Sequence, residues 1–253
     1  MHQLNRQKMN ANHLLTRLDP RVKLISTLAL LVMVISCKGF AFPLILAVLS
    51  LALCLHIGVR LKVLLARFAE PFFIALMVTI LKLLCSGAIP LFSFHFLGIE
   101  VVGHRDGLLA GLLIASRICG AVSLTALLVF STTFTELMAA LAWLKVPAGF
   151  IEVALFAWRY LFALFDDAQV VYAAQKNRLG YAGLLRGMRS FGTLTGALVI
   201  KAFDNSQTVT CAMVQRGYDG TMPLLRHRPL NSKEVALSLT FLLAMGIIWR
   251  ILI

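Results

Sequence analysis

Two arginines in an otherwise oily chain have the residue type and setting to do recognition chemistry. Arg178, in "AAQKNRLGY", and Arg216, in "AMVQRGYDG", each close a helix-like stretch with Gly-Tyr just beyond. A helix C-terminus carries partial negative charge and unsatisfied carbonyls, so a cation there is favoured. A glycine just past the end takes the left-handed conformation that other residues resist. Each arginine alone therefore reads first as a well-made helix end. An exposed tip bearing a guanidinium has a second use. It can enter a groove on another protein and make forked bonds to carboxylates or carbonyls.

Other polar residues offer less chemistry of their own. Asp166 and Asp167 are paired in sequence, but neighbouring helical residues point about 100° apart, so they do not converge as an acid and base must. Arg159 and Asp166 lie seven apart on one helix face and could either brace a helix crossing or stay solvated. Arg117 falls near the middle of an apolar run, where a charge is costly and normally faces protein or water. An ion pair or a carbonyl is the first expectation for it, with Glu70 or Asp106 as candidate partners. The five cysteines and six histidines form no C-x-x-C, H-x-x-x-H or H-E-x-x-H spacing, so neither a metal site nor a disulfide frame is expected. No G-x-x-x-x-G-K-[ST] occurs, and the chain is expected to bind no nucleotide itself. No residue is assigned a catalytic role.

The elements that must position those arginines follow from composition. Of 253 residues, 60% are hydrophobic and 14% charged, against about 25% charged in a soluble domain. Mean hydropathy is +0.87. Such a chain cannot cover a soluble surface, and the expected class is an all-α integral membrane protein. Its net charge of +13 fits cytoplasmic segments of a membrane protein better than nucleic-acid binding. "VISC", Val34 to Cys37, resembles a lipoprotein cleavage box, but the apolar run that follows almost at once makes a membrane hairpin the better explanation.

Five spans are expected, about Val22–Ser36, Phe42–Ile57, Phe72–Leu84, Leu108–Phe130 and Val235–Ile253. Asp19 and Pro20 are suited to start the first helix, and Thr133 or Thr135 to cap the helix after the fourth. Ser86 to Asp106 reads as an external loop, with a partly re-entrant course as the alternative. Between Pro147 and Asn205 apolar residues alternate with charged ones, which predicts two long amphipathic helices too polar for lipid. Five basic residues precede the first span, three separate the second and third, and eleven lie between Lys145 and Lys233; only Lys38 and Arg105 occupy the external turns. The positive-inside rule then puts the amino terminus and the amphipathic region in the cytoplasm. The expected organisation is a membrane domain over residues 1–130, a coupling-helix domain over 131–232 and a closing span over 233–253.

"LDPRVKL" before the first span, "STTFTELMAALAWLKVP", "WRYLFAL" and "AMVQRGYDG" occur in that order along nearly the whole chain. Together they resemble the transmembrane T component of energy-coupling-factor importers, more closely its cobalt/nickel type. In that family two coupling helices each end in a short Ala-Arg-Gly-like motif that docks on one of two ATP-binding cassette ATPases. Arg216, with Gln215 and Gly217, matches the second motif. Arg178 is the candidate for the first, with Asn177 and Leu179 where alanine and glycine are typical; the glycine comes one place later as Gly180, so the register stays open.

The resemblance implies a non-catalytic subunit of a bacterial or archaeal cytoplasmic membrane. ATP and Mg would be bound by the partner ATPases. Substrate would be held by a separate membrane S component, with a small accessory membrane subunit as a further partner. Cobalt or nickel is the implied cargo. A T component serving vitamin uptake and a self-contained secondary transporter are the alternatives; the latter normally shows inverted repeats or broken helices, and no internal repeat is found.

Overall fold

The computed structural model describes residues 18–85, 90–96, 99–219 and 232–252. The basic amino-terminal segment up to Arg17, parts of the expected external loop and the last residue of the expected fifth span lie outside the described residues. Eight helices are described: α1 (Pro20–Ser36), α2 (Ala41–His56), α3 (Leu61–Cys85), α4 (Arg105–Ser131), α5 (Phe134–Trp143), α6 (Ala148–Asn177), α7 (Leu184–Gln215) and α8 (Ser232–Leu252). The membrane fold is all-α. Between α3 and α4, where a loop was expected, β1 (Pro90–Phe96) pairs antiparallel with β2 (Ile99–His104). "LFSFHF" and "IEVV" are rich in aromatic and β-branched residues, which suit a pleated ribbon. The chain divides into two compact units between Ala140 and Leu141, with α8 belonging to the first.

The first unit is organised around α4, which packs against α1, α2 and α3. Small residues let those backbones approach. A side chain at Gly120 would meet the Pro43 carbonyl at 3.0 Å, and one at Gly111 the Thr79 backbone at 2.9 Å. Close approach of this kind is the main source of helix association in lipid, where burying leucine gains little. Leu30, Val34, Phe42, Leu46, Leu124 and Met245 form the core, and Trp249 of α8 donates its indole N–H to the Met33 carbonyl at 3.1 Å. Val32, Ile35, Val48, Phe72, Phe73 and Leu243 all face outward, as side chains do when the solvent is hydrocarbon.

The start of α1 ties three helix ends together. The Asp19 carboxylate accepts from the Arg21 N–H at 3.1 Å, with Pro20 in the first turn. The Asp19 N–H donates to Glu234 Oε2 at the start of α8 at 2.9 Å, and Lys23 Nζ donates to the Ser131 carbonyl at the end of α4 at 2.9 Å. Glu136, Asp19 and Glu234 place their carboxylates in electrostatic reach of that ammonium. Arg21 and Lys23 are each only 7% exposed, so these are internal struts, not surface charges. Thr133 is the cap of α5. Its N–H donates to Glu136 Oε2 at 2.9 Å and its Oγ1 accepts from the Glu136 N–H at 3.4 Å, a reciprocal capping box.

The helices differ from the expected spans in three places. Four helices are long and apolar enough to cross a membrane, namely Leu61–Leu84, Arg105–Ser131, Ala148–Asn177 and Glu234–Leu252. First, α1 and α2, with 17 and 16 residues, are shorter than those four and sit at the lower limit of spanning length, about 17 residues. Second, α3 does not begin after Pro71 but runs through it from Leu61. Proline inside a membrane helix is tolerated when neighbours satisfy the freed carbonyl. Third, α6 meets this test of length and composition, although its charged residues mark it as amphipathic. Its ionisable residues crowd the C-terminal half, and Glu152 and Arg159 are the two before Asp166.

Candidate functional site

The second unit is an antiparallel helical hairpin of α6 and α7. Three contacts fix its pairing. Gln175 Nε2 donates to Thr193 Oγ1 at 3.0 Å near the turn, Lys201 Nζ meets Asp167 Oδ1 at 2.6 Å midway, and the Tyr218 hydroxyl meets Glu152 Oε2 at 3.4 Å at the far end. An apolar groove of about 450 Å³ runs between the helices, walled by Phe156, Tyr160 and Leu164 on one side and by Val209 and Met213 on the other. Partial desolvation and the Glu152 carboxylate hold the Tyr218 phenol above its usual range.

The two arginine ends have the same backbone. Arg216 is the C-cap of α7, Gly217 follows at φ 81°, the Gly217 N–H donates to the Val214 carbonyl at 3.0 Å and the Tyr218 N–H to the Met213 carbonyl at 3.1 Å. Arg178 is likewise the C-cap of α6. The Leu179 N–H donates to the Lys176 carbonyl at 3.1 Å and the Gly180 N–H to the Gln175 carbonyl at 2.9 Å. Both are complete Schellman ends. The two ends can therefore be aligned on backbone geometry. Asn177 stands where Gln215 does, Arg178 where Arg216 does, and Leu179 occupies the seat of Gly217 with φ 57°.

A leucine in the left-handed region is costly, on the order of 1–2 kcal/mol, and the displaced glycine has its own reason. A side chain at Gly180 would lie 2.7 Å from Ser190 Oγ and 2.9 Å from the Gln175 carbonyl oxygen. Position 180 needs glycine because the Gln175 carbonyl of its own helix end and Ser190 of α7 both press on it. Ser190 Oγ donates to the Gly180 carbonyl at 2.8 Å, and the Tyr181 hydroxyl donates to Gln175 Oε1 at 2.8 Å. The first bond ties the turn to α7 and the second ties it back to α6.

Asn177, Arg178, Leu179, Gln215, Arg216 and Gly217 are all exposed. Among the described residues, neither guanidinium has a hydrogen bond or ion pair with the chain. Because the helices are antiparallel, the two arginines sit at opposite ends of the hairpin, separated by roughly the 45 Å length of a 30-residue helix.

The remaining candidates are placed differently from the sequence reading. The ion pair across the hairpin uses Asp167 and Lys201, whereas Arg159 and Asp166 are exposed and make no such bridge among the described residues. The reason is rotational: one residue further along turns the side chain about 100° toward α7. Arg117 is bonded to a carbonyl, as expected, but the acceptor is Cys37 at the C-cap of α1, reached by Nε at 3.1 Å and also by Nη2. Glu70 and Asp106 are exposed and are not its partners. No group of three His, Cys, Asp or Glu side chains able to hold a metal occurs among the described residues. The sequence reading missed Lys201, Ser190 and Thr193. Their signal appears only once the turn at 178–183 is known, since antiparallel pairing about it then places each opposite its partner.

A multi-pass helical membrane protein with an arginine-tipped hairpin is the class that this architecture defines. The pattern of the cobalt transport protein family, CbiQ, matches residues 11–227. The chain belongs to that family and so to the membrane T components of energy-coupling-factor transporters. It is 27% identical over 259 residues to the energy-coupling factor transporter transmembrane protein EcfT of Staphylococcus aureus, covering 95% of this chain and 93% of that one. It is 33% identical over 105 residues to the cobalt transport protein CbiQ of Rhodobacter capsulatus, covering 42% and 43%. A Methanocaldococcus jannaschii protein named only as uncharacterized is 28% identical over 213 residues, covering 84% and 80%.

Proposed function

We infer that this chain couples ATP binding elsewhere to cobalt import, by joining two ATPase subunits to a separate substrate-binding S component. The observation that carries this reading is the pair of like-built helix ends, Asn177-Arg178-Leu179 and Gln215-Arg216-Gly217. Each exposes a guanidinium, and they lie far enough apart to engage two subunits at once. Supporting it, Ile151 is the buried residue of α6 and Leu194 that of α7. Two helices of this length with so little interior need other surfaces to cover their apolar faces.

The hairpin lies at the cytoplasmic face, with the amino terminus on the same side. ATP binding draws the ATPases together, the arginine ends follow, and the motion travels along α6 and α7 to the S component, which releases its cargo inward. The chain performs no catalysis and holds no cofactor; ATP and Mg belong to the ATPases. Cobalt is favoured over nickel or a vitamin by the family to which the chain belongs.

The test is affinity purification from native membranes in mild detergent, of the native chain and of Arg178→Glu/Arg216→Glu. The expected result is co-purification of ATP-binding cassette subunits with the native chain and their loss from the variant. A native chain that comes out alone, or a variant that keeps its ATPases, sinks the coupling reading in favour of a self-contained transporter.

A further inference from the structure

The first unit holds a cavity of about 560 Å³ at the end where α1 and α8 begin and α4 finishes. Both α4 and α8 pack against α1 and α2, and all four helices line it. Lys23, Ser131 and Glu234 stand at its mouth, and leucines such as Leu49 and Leu127 form its walls. Its deep end closes on the core, since Leu30, Leu46 and Leu124 belong to both. It is open along α8, where Leu237 and Phe241 line it and are nonetheless 63% and 39% exposed. In sequence, α8 is pinned on either side of that opening. The Asp19 N–H donates to Glu234, and the Trp249 indole donates to the Met33 carbonyl.

The hydroxyls of the lining are already used. Ser26 and Thr27 donate to the Lys23 carbonyl, Ser50 to that of Leu46, Ser131 to Leu128, Ser238 to Val235 and Thr240 to Leu237, each within its own helix. Each hydroxyl has one proton, so below the mouth the wall has none to offer water. An apolar space of this kind stays dry, and leaving it unfilled costs stability in proportion to its volume. Around a bundle whose outer faces carry Val32, Val48 and Phe72, the filler at hand is hydrocarbon. At about 30 Å³ for a group the size of water, the cavity takes roughly eighteen such groups, the bulk of one acyl chain.

The mouth specifies the rest of the molecule. Lys23 and Glu234 give it one charge of each sign, and the carboxylates of Asp19 and Glu136 lie in electrostatic reach of the Lys23 ammonium. A head group with a phosphate and an ammonium matches both signs, whereas a purely anionic one meets a surplus of carboxylate. We propose that this cavity binds one acyl chain of a zwitterionic phospholipid of the ethanolamine type, with its phosphate at Lys23 and its ammonium at Glu234. The chain enters past α8, and its companion chain stays in the bilayer. The bound lipid fills the bundle behind the joined ends of α1, α4 and α8. This site does not depend on the coupling reading above.

The experiment strips the full chain of lipid in detergent and titrates it with phosphatidylethanolamine or phosphatidylglycerol of the same acyl chains, read by native mass spectrometry and thermal scan. One ethanolamine lipid per chain should bind, about fivefold or more tighter than the glycerol lipid, and raise the melting temperature. Leu49→Trp/Leu127→Trp fills the cavity with protein. It should weaken that binding about tenfold or more and abolish the thermal response. Val48→Trp, on the outward face of α2, should change neither. Glu234→Gln keeps an acceptor for the Asp19 N–H and should bind both lipids, with the preference reduced to less than about twofold.

The native preference and its loss in Glu234→Gln carry the test by themselves if the double tryptophan variant does not fold. Several lipids bound without preference, and equally by the filled and Val48→Trp chains, would mean a surface annulus and overturn the proposal. A native chain that binds no lipid but is stabilised by a co-purifying membrane protein would assign the cavity to that partner and overturn it too.

Discussion

The register of the first arginine end can be tested on the backbone alone, without any partner. Leu179 takes φ 57° and Gly180 is pressed between Ser190 Oγ and the Gln175 carbonyl. Leu179→Gly removes a left-handed penalty on the order of 1–2 kcal/mol and adds a glycine entropy cost of about 0.5–1 kcal/mol. The net expectation is a small gain, between about zero and 1.5 kcal/mol. Gly180→Ala goes the other way. Its new methyl meets a backbone oxygen that cannot swing aside, so the Gly180 N–H bond to Gln175 and the Ser190 bond to Gly180 both break. At about 0.5–1.5 kcal/mol each, the loss is about 1–3 kcal/mol. Amide exchange of the 174–183 segment, read by mass spectrometry in detergent, reports both. Gly180→Ala should speed exchange of the turn amides about five- to 150-fold, and Leu179→Gly should slow it or leave it unchanged. Faster exchange in Leu179→Gly, or a silent Gly180→Ala, would mean that the left-handed seat is not at 179, and the equivalence of the two ends would collapse.

Three further perturbations probe the scaffold. Arg117→Leu should lower stability by about 1.5–3 kcal/mol, the value of bonds to a charged group, whereas Glu70→Ala and Asp106→Ala should leave the melting temperature in detergent nearly unmoved; equal effects would deny the bond to the Cys37 carbonyl. Lys23→Met should cost about 1.5–3 kcal/mol, the value of the bond from a charged group to the Ser131 carbonyl, and an unchanged thermal scan would show that the strut between α1 and α4 carries no weight. The Tyr218 phenol is held above its usual range, so its neutral hydroxyl is present below the ordinary tyrosine pKa and its contribution is lost only as pH rises through the raised folded value. Tyrosinate absorbance, native chain minus Tyr218→Phe, should therefore titrate above pH 10; titration below that would contradict the contact with Glu152.

Much of the molecule was legible in the sequence because the relevant physics is local or compositional. The scarcity of charge forced a membrane class. Asp19-Pro20, and Thr133 or Thr135, announced helix starts through bonds made within a few residues. Arg178 and Arg216 marked helix ends for the same reason, since a C-terminal cation and a glycine act within one turn. What failed was whatever depended on a neighbouring element. Arg117 was bound to find an acceptor, but only the close approach of α4 to the end of α1 chose the Cys37 carbonyl over Glu70 or Asp106. The brace of the hairpin fell to Asp167, one residue from Asp166, because rotation about the helix axis is fixed by where α7 lies. The glycine of the first end moved from 179 to 180 partly for the same kind of reason. The left-handed seat is a local demand that leucine can meet at a cost, whereas position 180 is pressed both by the local Gln175 carbonyl and by Ser190 of α7, and only the second of these demands is tertiary.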